Sequence, residues 1–171
     1  RVQEDLHPQS GRPTRVLVHG IINHGFQYRE PGMRLVPTSY HSQGSGVGRA
    51  IAAIQKRRTS VRIGVTGLGV GALAAYVREK DSICFYEIDR NVVNVAAGPD
   101  ALFSFISECR GAVEIQVGDA RLSLREELDT VGRHGYDILA LDAFSSDSVP
   151  VHLLTHEAFE LYERHLADDG V

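Results

Sequence analysis

Apolar and polar positions change rhythm near residue 45. Up to Tyr40 the apolar runs are brief, RVLVH from Arg15 to His19 and GFQY from Gly25 to Tyr28, and they are broken by Gly20, Pro31, Gly32 and Pro37. Short runs between turn residues predict strands of a small β-hairpin unit. From Ser45 onward Val47, Ala50, Ile51 and Ile54 fall at helical spacing, and Lys56 to Arg58 occupy the last turn, where basic side chains suit the helix dipole. The expected division is an N-terminal β-hairpin unit over 1–44 and a second unit over 45–171.

In the second unit strand-like and helix-like segments alternate. Val61 to Thr66, Ser82 to Ile88, Val113 to Val117 and Tyr136 to Leu141 predict strands. Gly71 to Arg78, Arg90 to Ala97, Ala101 to Glu108 and Ala120 to Leu128 predict helices. Pro150 is expected to open a last helix with Val151, Leu154, Ala158, Leu161, Tyr162 and Leu166 as its apolar stripe, closing near Gly170. Strands separated by helices of this length specify a parallel sheet with right-handed crossovers, a Rossmann-like α/β architecture. Ligands of such sheets bind outside the carboxyl ends of the strands.

Composition narrows the function classes. Hydrophobic residues make up 43% of the 171 positions and charged residues 23%, as in an ordinary globular domain. No apolar run approaches the ~20 residues that cross a bilayer. Eighteen Lys and Arg against 22 Asp and Glu give a net charge of -4, which argues against binding nucleic acid through its phosphates. Cys84 and Cys109 lack zinc spacing and are expected to be buried, reduced thiols. His19, His24 and His41 form no HxxxH or HxH pair on one predicted element, so no metal site is expected. Arg1 to Thr14 is polar, without the apolar stretch of a secretory leader.

The candidate chemistry lies at the predicted strand ends. Gly67-Leu68-Gly69-Val70-Gly71-Ala72 follows the first strand of the second unit, where glycines permit a sharp turn and close approach of backbone to a nucleotide or nucleoside. Glu87 stands 20 residues beyond Gly67, placed to accept hydrogen bonds from both ribose hydroxyls, while Asp89 is expected to cap the next helix. These features suit NAD enzymes and S-adenosyl-sulfonium enzymes equally. Gly118-Asp119-Ala120-Arg121 puts a carboxylate where it can accept from an adenine amino group, with Ala120 leaving room for the ring; a helix cap is its other role, and the two can coexist. Asp142-Ala143-Phe144-Ser145-Ser146-Asp147-Ser148-Val149-Pro150 forms an anionic mouth suited to holding and deprotonating a cationic amine. The strand His-Gly pair of Val16 to Gly20 imitates a hydrolase, but no G-x-S-x-G nucleophile turn exists.

In combination GLGVGA, YEID, GDAR and LDAFSSDSVP, with HGFQ and PTSYH upstream, resemble the spermidine synthase-like family over roughly Val16 to Val171. The likeness is greatest to a bacterial subgroup in which such a domain is fused behind transporter-like membrane segments. The resemblance implies an S-adenosylmethionine-dependent methyltransferase-type sheet. It implies transfer of an aminopropyl group from decarboxylated S-adenosylmethionine to an amine acceptor such as putrescine, without a metal. Gly67, Gly69, Gly71, Glu87, Asp119 and Ala120 would bind the S-adenosyl compound. Asp142 would be the catalytic base assisted by Tyr40, and Gln27, His41 and Asp147 would bind the amine. The family's glycine loop carries an Asp that holds the amine of decarboxylated S-adenosylmethionine, where this chain has Val70. Ala143 and Phe144 also lengthen the loop after the fourth strand. Methyl transfer and a non-catalytic nucleoside- or polyamine-binding domain are the alternatives these departures raise. A sheet of this type continues beyond four strands, so further C-terminal strands in a longer parent are expected. The resemblance is compatible with a homodimer and with membrane segments in that parent, this domain lying on the cytoplasmic side.

Overall fold

The computed structural model describes residues 1–19, 22–144 and 149–171, which form two sheets. The first is antiparallel, with β1 (Val2–Leu6), β2 (Pro13–His19) and β3 (Ile22–Tyr28) in that order. Strand β1 arises from the polar opening of the chain, which carries no apolar alternation. Its backbone pairs with β2 from Val2 opposite Leu17 to Leu6 opposite Pro13, so partner geometry rather than side-chain pattern creates it.

The second sheet is parallel, with β4 (Arg62–Thr66), β5 (Ser82–Glu87), β6 (Ala112–Val117) and β7 (Ile138–Leu141) in the order β6-β5-β4-β7. This is the expected Rossmann-like, methyltransferase-type arrangement beside a separate small β unit. Winding reverses between β4 and β7, and such a switch point opens a crevice at the carboxyl ends of those strands. Successive side chains of β5 serve opposite layers. Ile83 and Phe85 join Ile63, Val65, Leu73, Phe103 and Phe105, whereas Cys84 and Tyr86 join Leu124, Tyr136, Leu161 and Tyr162. Burying each large apolar side chain is worth roughly 1.5–3 kcal/mol, so the two central strands are where the fold is most firmly held.

Among the described residues four α-helices accompany the sheet: α1 (Gly46–Gln55), α2 (Arg90–Ala97), α3 (Ala120–Thr130) and α4 (His156–His165). Ser45, Asp89, Asp119 and Thr155 cap them, each side chain accepting from a first-turn N–H. Asp89 and Asp119 also stand directly after β5 and β6, so capping fixes two carboxylates at the carboxyl edge of the sheet. Among the described residues no helix is long and apolar enough to cross a membrane.

Three predicted helices differ from what forms. Gly71 to Arg78 yields only the 3-10 turn Ala72–Tyr76, in which Ala72, Leu73 and Ala74 are buried in succession, a pattern that does not fit the one-sided apolar stripe of a surface helix. Ala101 to Glu108 forms turns in which Phe103 and Phe105 point into the core and Ser104 between them is held by Gln27. After Pro150 a 3-10 turn (Val151–Leu153) comes first, and α4 begins only behind the Thr155 cap. Val151 accordingly is 80% exposed rather than part of the apolar stripe. Cys84 is buried as expected, but Cys109 is half-buried; both are free.

Asp81 ties three of these elements together. Its buried carboxylate accepts from Val61 N–H (2.8 Å), from the Arg78 backbone N–H (3.0 Å) and guanidinium (2.8 and 2.9 Å) and from Gln55 Nε2 (2.9 Å). Burial alone would raise its pKa, but Arg78, Gln55 and Val61 outweigh that and hold it below the ordinary carboxylate value. Asp81→Ala is expected to destabilise the protein by about 3 kcal/mol in denaturant unfolding, since it leaves buried donors unpartnered. The stability this carboxylate confers is present above its unfolded pKa of about 4 and lost as pH falls through its lower folded value. Acid should therefore erode the wild type more steeply below about pH 4 than Asp81→Ala.

Candidate functional site

From Thr66 the chain turns through Gly67 to Gly71. Gly67 has φ of +96°, and a Cβ there would lie 2.9 Å from the carbonyl oxygen of Asp142. Gly69 has φ of +54°, with the carbonyl oxygen of His24 at 2.8 Å from the corresponding point. Both combine left-handed backbone with close backbone contact, so neither admits a side chain. The loop thus wedges between the end of β7 and the hairpin unit. Gly71 stands behind it, packed on Ile106, and serves packing rather than the cleft wall. Val70 is 1% exposed and its γ-carbon would meet a Cβ at Gly25 at 2.7 Å, so its side chain fills the joint with β3.

In front of the loop is a cleft of about 420 Å³ that reaches the ends of all four parallel strands and the hairpin unit. Glu87, Asp89, Asp119 and Asp142 contribute to its wall, with no Lys or Arg among its described residues. All four carboxylates are held by neighbouring groups, Asp89 by the Asn91 N–H at 2.8 Å. Glu87 accepts from Leu68 N–H through Oε2 and from Asp89 N–H through Oε1, both at 2.9 Å, which locks it to the glycine loop. Asp119 accepts from Leu122 N–H through Oδ1 (3.0 Å) and lies 2.7 Å from His152 Nε2 through Oδ2. Ala120, the first residue of α3, presents only a methyl group beside it.

At the other end of the cleft Asp142 Oδ2 lies 2.7 Å from His41 Nε2, and the Asp142 N–H donates to the Thr66 carbonyl at 3.0 Å. His41 is 4% exposed, and its carbonyl accepts from the Tyr76 hydroxyl at 2.6 Å. Its Nδ1 is buried without a hydrogen-bond partner among the described residues. Tyr40, 46% exposed, tilts over the His41 ring at 4.3 Å and lies 6.3 Å from the Phe144 ring. Ser39 just before them adopts φ of +56°, and Thr38 anchors the turn by donating to the Phe26 carbonyl. Left-handed backbone at a non-glycine residue costs of order 1 kcal/mol, here maintained where it aims Tyr40 and His41 at the cleft.

One expected substrate residue, Gln27, is not brought to this site. Gln27 is buried, donating from Nε2 to the Arg34 carbonyl (2.9 Å) and Ser104 Oγ (3.1 Å) and accepting from Ser104 N–H (3.1 Å). It fastens the hairpin unit to the sheet. Asp147 lies outside the described residues. Conversely, His152 and His24 line the cleft, where the sequence reading placed neither; His152 and His156 have H-x-x-x-H spacing, but the structure sets them on different elements, the 3-10 turn and α4, and His24 lies on β3.

No protein-family model and no curated protein matches the chain. Its fold is similar to solved structures at low identity. A probable spermidine synthase from Corynebacterium glutamicum aligns with TM-score 0.63 and 18% identity over 97% of this chain and 57% of the other. The spermidine synthase of Thermotoga maritima gives 0.57 and 17% over 99% and 51%. MNMC2 from Aquifex aeolicus gives 0.57 and 16% over 99% and 58%. The chain thus spans little more than half the length of each.

Desolvation first, and then the charge of Asp142, push the Tyr40 phenol up to about 12. Ultraviolet titration should therefore find a tyrosinate component near pH 12 that disappears in Tyr40→Phe. Asp142→Asn should lower that value only in part, because burial remains. As the folded pKa is raised, the stability linked to Tyr40 is complete below about pH 10 and lost as pH rises towards 12.

Proposed function

We propose that the protein is a transferase using an S-adenosyl compound, and that it moves an aminopropyl group from decarboxylated S-adenosylmethionine to a small amine such as putrescine. The observation that carries this reading is the sign of the cleft, four carboxylates in its described wall and neither Lys nor Arg among them. A dinucleotide would bring its pyrophosphate to these negative groups. Behind the glycine loop it would meet a 3-10 turn of five residues instead of the α-helix N-terminus that holds such phosphates. A sulfonium and an ammonium meet complementary charge there. At about 4 Å each pairing amounts to roughly 4 kcal/mol of attraction at the effective dielectric of a protein surface, before desolvation is subtracted.

The residues present suit an adenosyl group. Glu87 would accept from the ribose hydroxyls and Asp119 from the adenine amino group, with Ala120 leaving space for the ring and Gly67 to Gly69 admitting close approach. When bound, the sulfonium supplies an electrophilic carbon beside a good leaving group. The acceptor nitrogen's lone pair forms the new C–N bond as the C–S bond breaks with its electron pair on sulfur, and the proton shed by nitrogen goes to Asp142. His41 holds one oxygen of that carboxylate and so fixes the direction of the other; Tyr40 covers the same end as a neutral phenol. Alignment and a deprotonated nucleophile are what the protein must provide. Val70 favours a second reading, methyl transfer, because its buried apolar side chain puts no acid at the place where an acid would repel the carboxylate of S-adenosylmethionine.

Decarboxylated S-adenosylmethionine and putrescine, incubated with the protein, are expected to give spermidine and methylthioadenosine by chromatography with mass detection. Asp142→Asn should lower turnover by about 10²–10⁴-fold while leaving methylthioadenosine affinity within about threefold. A methylated product formed from S-adenosylmethionine alone would replace the aminopropyl reading with the second one. Absence of any product would contradict both.

A further inference from the structure

His152 is the cleft residue that neither the glycine loop nor the transfer chemistry accounts for. Its imidazole Nε2 lies 2.7 Å from Asp119 Oδ2, and half of its side chain remains exposed. The segment carrying it is a built wall. The His152 carbonyl accepts from Arg121 Nη1 at 2.8 Å, one residue beyond Ala120; Leu153 is buried in the core, and its carbonyl accepts from the Tyr162 hydroxyl at 3.2 Å. Two hydrogen bonds, one from α3 and one from α4, and the burial of Leu153 therefore hold the turn that sets this imidazole against the carboxylate facing the nucleobase end of the cleft.

We infer that His152 is a specificity-determining residue that orients Asp119 as an acceptor and thereby selects a 6-amino purine over a 6-oxo purine. The inference rests on the S-adenosyl reading given above. An ionised carboxylate offers about four lone-pair positions and no donor. Leu122 N–H takes one on Oδ1 and His152 takes one on Oδ2, which fixes the carboxylate plane and leaves acceptor capacity directed into the cleft. An exocyclic amino group can donate to it. A 6-oxo group would set acceptor against carboxylate, an unpaired arrangement that a polar site rejects strongly. Without His152 the Leu122 N–H alone holds Asp119, and the free oxygen can turn to water. The helix cap survives in either case, so stability and selectivity separate.

The test compares 5′-methylthioadenosine with 5′-methylthioinosine by calorimetry in the unmutated protein, His152→Ala and His152→Gln. The unmutated protein should favour the amino form by at least about tenfold. His152→Ala should reduce that preference to less than about threefold by weakening the amino form alone, with the thermal midpoint nearly unchanged. His152→Gln, which keeps an N–H donor, should restore most of it. Equal weakening of both nucleosides, or an unchanged preference in His152→Ala, would overturn the role. An independent readout needs no folded variant: the His152 imidazole resonances should shift on saturation with methylthioadenosine, and their constancy in the bound protein would overturn it too. If the unmutated protein binds neither nucleoside, the S-adenosyl reading itself fails and this inference falls with it.

Discussion

Close backbone contact around the glycine loop is the constraint on which the site depends. Gly67 lies against the Asp142 carbonyl and Gly69 against the His24 carbonyl, at separations a Cβ could not share. The same short turn therefore joins the end of β4 to the end of β7 and to the hairpin unit. Had either glycine been any other residue, the sheet could still form, but Asp142 or the unit carrying Tyr40 and His41 would stand farther from the loop. Val70, packed under Gly25, fills the joint with apolar surface. The position where the resembling family keeps an acid serves packing here.

Around that joint the carboxylates are held rather than merely present. Backbone N–H groups of Leu68 and Asp89 fix Glu87, Leu122 N–H and His152 fix Asp119, and His41 fixes one oxygen of Asp142. Concentrating like charges in one cleft opposes folding, and each donor offsets part of that repulsion while setting the direction of an acceptor. A site prepared in this way gains most from a ligand that brings positive charge and hydroxyl or amino donors. Two imidazole–carboxylate pairs lie at its two ends, one beside the proposed nucleobase position and one beside the proposed proton acceptor.

The sequence made the parallel strands, the glycine loop and the acids after β5, β6 and β7 legible, because burial on both faces and strand-end spacing leave local marks. It hid what depends on partners. Strand β1 is polar and exists through pairing with β2; residues 72–76 have helical composition but bury three consecutive residues, Ala72 to Ala74; Pro150 suggests a helix start that Thr155 supplies instead. Gln27 illustrates the same limit within the site, since residue type and resemblance suggest an amine ligand whereas its amide bridges Ser104 and Arg34. His152 stands at H-x-x-x-H spacing with His156, but its place in the cleft comes from meeting Asp119 across 33 residues of chain, which no local spacing marks.

The central claim is that this cleft takes an adenosyl sulfonium compound between the glycine loop and the ends of β5 to β7. A crystal structure with 5′-methylthioadenosine bound tests it most directly. The account predicts ribose hydroxyls donating to Glu87, the purine amino group donating to Asp119 beside Ala120, and the sulfur turned towards Asp142. A nucleoside lodged elsewhere, or in this cleft with its base away from Asp119 and its ribose away from Glu87, would contradict it.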